Sequence, residues 1–198
     1  MAADCVPRCL RSTLPLGLAL FLAACGHVPL MSMVTLAGVD FATTDPALLR
    51  AAIKLPQVIE PRPNGATLRV AVKLADGRDL AQDFKLSETA DERDVLVLHA
   101  ELDPGMRVFA YRIEPSELER LKVFRRTVLA QKHEQKVGLE ISIKPEACRG
   151  GALPPGPLLM TTYIKTSETN RYVTLARDVD LRTLAPGRDA AAAIPACQ

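Results

Sequence analysis

The side chains here that could do chemistry are few: five cysteines and three histidines in 198 residues. A thiol can be a nucleophile, a metal ligand, half of a disulfide or an acylation site, and its surroundings decide which. Cys5, Cys9 and Cys25 lie near the start of the chain, Cys148 and Cys197 toward its end. His27, His99 and His133 are widely separated and show no metal-ligand spacing with one another or with a cysteine pair. His99 alternates with Val95 and Val97, as a packed side chain would. His133 ends a long helical pattern, where a cation suits the helix dipole. No Gly-rich phosphate loop or nucleophile-elbow pattern occurs. The sequence therefore implies no metal and no cofactor.

Cys25 stands in the most informative setting. Arg8 and Arg11 precede an apolar run from Leu14 to Ala24, which ends in Leu22-Ala23-Ala24-Cys25. A basic start, a short apolar run and small residues before a cut describe a secretory signal peptide. The run is about half the roughly 20 residues needed to span a bilayer, and Pro15 and Gly17 interrupt it. An ordinary signal cut after Ala24, with Cys25 incidental, would use the same pattern. The tetrapeptide resembles the lipobox of bacterial lipoproteins. That resemblance covers only these residues and implies removal of 1–24, acylation of the Cys25 thiol, and anchoring to the lipid bilayer on the periplasmic side. Gly26 occupies the position where an aspartate retains many such proteins in the inner membrane, so the outer membrane is favoured.

This address sets the expectations for the other thiols. Cys5 and Cys9 leave with the signal, and Cys148 and Cys197 remain in an oxidising compartment where disulfides persist. They are expected to pair, because Cys197 ends an Ala/Pro-rich stretch with no other visible anchor; the alternative is two unrelated cysteines. Residues 25–30 form a tether whose five residues beyond Cys25 reach roughly 17–18 Å when extended. Residues 31–184 form one periplasmic domain, and 185–198 a flexible tail.

Composition narrows the classes of function. The formal net charge of +2 is far from the strongly basic face that nucleic acid requires. Nearly half the residues are apolar, so the chain is not of a disordered type. There is no Trp, and only five Phe and three Tyr, which weighs against an aromatic-lined sugar site.

The elements that must position any site read as an α+β domain with mainly antiparallel sheet of about seven to eight strands. Met31–Phe41 reads as a first strand. Asp45-Pro46 resembles a helix start, with Leu48, Leu49, Ala52 and Ile53 as the stripe of a short helix at about 45–54. The loop 60–65 leads to a hairpin in which Leu68, Val70 and Val72 share a face. Burying that face together with Leu80, Phe84 and Leu86 requires a three-residue loop, Ala75-Asp76-Gly77, with Gly77 left-handed. Val72 then pairs with Leu80 and Leu68 with Phe84. Strands follow at 94–102 and 106–113 around Asp103-Pro104-Gly105. Ser116 and Glu119 start a long helix at about 116–135 with Leu118, Leu121, Phe124 and Val128 buried. Val137–Lys144 is a half-buried strand, and 158–165 with 171–177 a last hairpin.

Three surface features remain. Arg120, Lys122, Arg125 and Arg126 could meet anionic lipid headgroups, each basic residue adding about 1 kcal/mol near such a surface; a solvated helix face is the simpler reading. The Gly/Pro loop after Cys148 is either a binding loop or a connector. Lys165-Thr166-Ser167 resembles the Lys-Thr-Gly element of serine β-lactamases and penicillin-binding proteins, but the Ser-x-x-Lys nucleophile they need is absent, so the match is chance. The expected function is a non-catalytic envelope lipoprotein that binds an envelope protein partner or serves as an accessory subunit. The alternatives are a periplasmic carrier of a small apolar ligand and an envelope enzyme.

Overall fold

The computed structural model describes residues 40–74, 77–100, 102–131, 138–183 and 194–198. The signal, Cys25, the tether with His27, residues 31–39 of the expected first strand, and 132–135 of the expected long helix with His133 lie outside them.

Among the described residues seven strands form one antiparallel sheet: β1 Arg50–Pro56, β2 Ile59–Lys73, β3 Asp79–Glu88, β4 Met106–Ile113, β5 Gly138–Arg149, β6 Leu159–Lys165 and β7 Val173–Asp180. Their spatial order is β5-β2-β3-β4-β1-β6-β7, and the sheet curls into a half-barrel. Among the described residues two helices complete the α+β fold, α1 at Glu92–His99 and α2 at Leu118–Gln131, the latter entered through a 3-10 turn at Pro115–Glu117.

The β2–β3 hairpin has the expected register, Val72 opposite Leu80 and Leu68 opposite Phe84. Gly77 takes φ +85°, and the Leu74 N–H donates to the Arg78 carbonyl at 2.9 Å. Leu68, Val70, Val72, Phe84 and Leu86 are consequently all within 2% of full burial. α2 lies on this face with Leu121, Phe124 and Val128 inward, and the Phe84 and Phe124 rings are 6.0 Å apart. On the opposite face Leu98 of α1 covers Ala52, Ala110 and Tyr163.

Two elements exchange identity relative to the sequence expectation. The short helix is not at 45–54: Pro46–Leu48 is a turn and Arg50–Pro56 is a strand paired with both β4 and β6. Ala51, Ala52, Ile53 and Leu55 are fully buried. A strand covered on both faces loses its alternation, and a short continuous apolar run does not separate strand from helix. Conversely, the strand expected at 94–102 is α1. The Asp91 carboxylate accepts the Arg93 N–H at 3.0 Å as its N-cap, and Glu92 and Asp94 lie in its first turn. Its buried residues, Asp94 and Leu98, are spaced by four as one helix face requires.

The loop expected at 60–65 is instead an irregularity inside β2, whose pairing with β5 shifts between Pro61 and Ala66. Asn64 takes φ +56°, and a Cβ on Gly65 would sit 2.9 Å from the Glu146 Cβ, so the two strands pass too closely for any larger residue. Of the tail expected at 185–198, residues 185–193 lie outside the described residues, and 194–198 are held. Cys148 and Cys197 form a disulfide, Ala196 bridges Arg149, and Ile194 packs against the core.

Candidate functional site

Among the described residues, two cations gather on the buried carboxylate of Asp94. The first turn of α1 lowers this residue onto the sheet until it is only 3% exposed. Its Oδ1 accepts from Lys165 Nζ at 2.9 Å, and its Oδ2 lies 3.5 Å from Arg50 Nε. The Lys165 ammonium is also 5.7 Å from the Tyr172 ring centre. Burial, reinforced by the Asp94 charge, pushes the Tyr172 phenol well above its ordinary value, so it stays protonated. A shallow cavity of about 230 Å³ opens above this cluster, edged by Leu48, Arg93, Ser167 and Asn170.

Chemically this is a tie between elements. Both Asp94 oxygens are engaged by cations from β1 and β6, so α1 is fastened across two strands. The Lys165-Thr166-Ser167 segment has the same structural use. Lys165 holds Asp94, Thr166 N–H donates to Thr169 Oγ1 at 2.9 Å, and Ser167 Oγ accepts the Asp45 N–H at 3.3 Å. A second charged pair lies further along β1. Lys54 is buried, and its Nζ donates to Asp103 Oδ2 at 2.7 Å. Burial works to lower its pKa, but the Asp103 hydrogen bond, with Tyr163 and the Asp103 charge beside it, prevails and raises it. Lys54 in turn holds the Asp103 carboxyl below the usual range.

The four basic residues of α2 have different partners. Arg120 stacks 5.1 Å from the Phe84 ring centre, donates to the Asp83 carbonyl and pairs with Glu117. Arg125 Nη1 donates to the Thr44 carbonyl at 2.6 Å. Lys122 pairs with Glu119 at 2.7 Å, and Arg126 is exposed. Two of the four therefore hold the helix to its neighbours. The loop after Cys148 is also held: Arg182 donates to the Gly156 and Pro154 carbonyls at 2.6 and 2.7 Å. His99 is exposed at the end of α1. Among the described residues no group of three or more His, Cys, Asp and Glu side chains is placed to hold a metal, and no helix is long and apolar enough to cross a membrane.

Two apolar features escaped the sequence reading. On α1, Leu96 and Val97 are 72% and 56% exposed, and Leu48 beside the Asp94 cavity is 52% exposed. Read as a central strand, this run would have been buried on both sides; as a helix it turns two of its four apolar residues outward. The second feature is a groove of about 710 Å³ at the open seam of the half-barrel. Leu139, Ile141 and Ile143 of β5 line one side, with Met160 of β6 and Leu175 and Val179 of β7 opposite. Only the curl of the sheet brings these edge strands together, so no local pattern could announce it.

No protein-family model, no curated protein and no solved structure matches this chain.

Proposed function

We propose that this protein is a lipid-anchored envelope component with a non-catalytic accessory role, which docks an envelope protein through the outward face of α1. Acylated Cys25 fixes it on the periplasmic side, with the outer membrane favoured. The observation that carries the docking reading is the exposure of Leu96 and Val97 on a helix whose opposite face is fastened by Asp94 and Leu98. A rigidly held helix presenting adjacent apolar side chains suits a partner's surface, and covering Leu96 and Val97 is worth about 1.5–3 kcal/mol for each when complete. The charged rim of Arg50, Arg93 and Asp91 around Leu48 supplies the polar surround that such interfaces use.

The test is crosslinking in intact cells followed by co-purification, comparing wild type, Cys25→Ala and the double variant Leu96→Ser/Val97→Ser. A discrete envelope partner retained by wild type and lost from both variants supports the reading. A partner that survives the α1 variant removes α1 as the docking face. The apolar groove favours a second reading, a carrier of a small apolar ligand, for which a molecule extracted from the purified protein is the expected sign.

A further inference from the structure

We propose that the cavity above Asp94 receives one acidic side chain, an aspartate or glutamate of the docked protein, held by Arg93, Lys165 and Asn170. The inference rests on the α1 docking reading and deepens it by giving the partner's chemistry.

The position of Arg93 joins the cavity to the docking face. Residues three and four apart on a helix are neighbours, so Arg93 stands one turn before Leu96 and Val97 on the same side. All three are exposed, while Asp94 and Leu98 on the other side face the sheet. Leu48, also exposed, lines the cavity together with Arg93. A surface that covers Leu96 and Val97 therefore lies across the mouth of the cavity.

Charge within the cavity selects the sign of its occupant. Three cations line it, Arg50, Arg93 and Lys165, against the two carboxylates of Asp91 and Asp94, which leaves one positive charge over. Arg50 is largely spent, since its Nε faces Asp94 and its Nη1 donates to the Ala47 and Leu49 carbonyls. Lys165 gives one N–H to Asp94 and keeps two more. The Arg93 guanidinium and the Asn170 side-chain amide have no partner among the described residues. Donors thus reach the cavity from α1 on one side and from β6 and the turn after it on the other. The turn is fixed in place, because the Asn170 N–H donates to the Thr166 carbonyl at 3.0 Å.

Size and surroundings narrow the anion. The cavity, at about 230 Å³, is smaller than the roughly 300 Å³ at which sites for whole small molecules begin, so it suits one side chain of something larger. Its single surplus charge matches a carboxylate, whereas the second negative charge of a phosphate would be repelled by Asp91 and Asp94. A carboxylate is also planar, as the guanidinium fork requires for a two-bond contact. Leu48, Leu96 and Val97 around it supply the apolar surround that keeps water from such a contact.

The deciding measurement is a nuclear magnetic resonance titration of the isotope-labelled mature chain in non-ionic detergent. The probes are the capped tripeptides acetyl-Leu-Glu-Leu-amide and acetyl-Leu-Gln-Leu-amide, which differ in one charge. The acidic peptide is expected to shift the Arg93, Leu96 and Asn170 amides saturably and to bind roughly tenfold more tightly than its neutral twin. Arg93→Gln should abolish that difference without changing the melting temperature, since the side chain is exposed. Equal affinity of the two peptides, or shifts that miss Arg93 and Asn170, overturns the proposal. Tighter binding at the same amides by acetyl-Leu-Leu with a free terminal carboxylate, or by inorganic phosphate, overturns it too and gives the cavity to that anion.

The co-purification assay separates this inference from the reading beneath it. A partner lost from both Arg93→Gln and Leu96→Ser/Val97→Ser agrees with both. One lost only from Leu96→Ser/Val97→Ser leaves α1 as the docking face and overturns the acidic contact. One retained by both variants overturns the docking reading itself.

Discussion

Asp94 Oδ1 lies 2.9 Å from Lys165 Nζ, although 71 residues separate them in sequence. The contact joins the first turn of α1 to the end of β6, and Arg50 at 3.5 Å brings in β1 as well. Removing the acid leaves two cations on a largely buried surface. Asp94→Asn is therefore expected to lower unfolding free energy by roughly 1–3 kcal/mol, below the value for a fully buried pair because both cations reach solvent. Urea denaturation of the two proteins measures it.

The outer and inner faces of α1 should respond differently. Leu98→Ala empties a fully buried site and is expected to cost about 2–5 kcal/mol. Leu96→Ser/Val97→Ser should change stability by only about 0.5 kcal/mol. Thermal melts beside the co-purification assay separate a docking defect from a folding defect.

Lys54 and Asp103 predict a window of pH in which their pair contributes. The raised Lys54 stabilises the fold fully below its unfolded value of 10.5, and that contribution is lost as pH rises through the folded value. The lowered Asp103 contributes above its unfolded value of 3.8 and loses its contribution as pH falls through the folded one. The melting temperatures of wild type and Asp103→Asn should therefore differ between about pH 4 and 10. They should converge at both extremes; a gap constant down to pH 2 would refute the assignment.

The disulfide closes a separation of 49 residues between β5 and the chain end. Cys148→Ser/Cys197→Ser is expected to cost about 2–4 kcal/mol, chiefly by freeing the unfolded chain. It should also make residues after Asp180 sensitive to protease, since the strand-like contacts of Pro195–Cys197 with Arg149 are few. Limited proteolysis with and without reductant reads both effects.

Phe124→Ala tests how α2 is held. Its ring is 9% exposed and packs on Phe84, so truncation should cost about 3–5 kcal/mol. Arg126→Glu, at an exposed position, should leave stability nearly unchanged.

What could be read directly from the chain was what short-range chemistry dictates. The β2–β3 register followed from one condition, that Leu68, Val70 and Val72 share a buried face with Leu80, Phe84 and Leu86. The stripe Leu121, Phe124 and Val128 fixed the buried side of α2 by its spacing. Tertiary structure decided the rest. Ala51–Leu55 became strand because β4 and β6 offer hydrogen bonds on both its edges, and Asp94–Leu98 became helix because only one turn of it meets the sheet. The apolar runs themselves satisfy either conformation until their neighbours are placed, and the Asp91 cap just before α1 is a local sign of helix that the run obscured. The Asp94–Lys165 tie and the groove between β5 and β7 are further removed still. Both join residues distant in sequence: the tie needs β1 and β6 paired beneath α1, and the groove needs the sheet to curl.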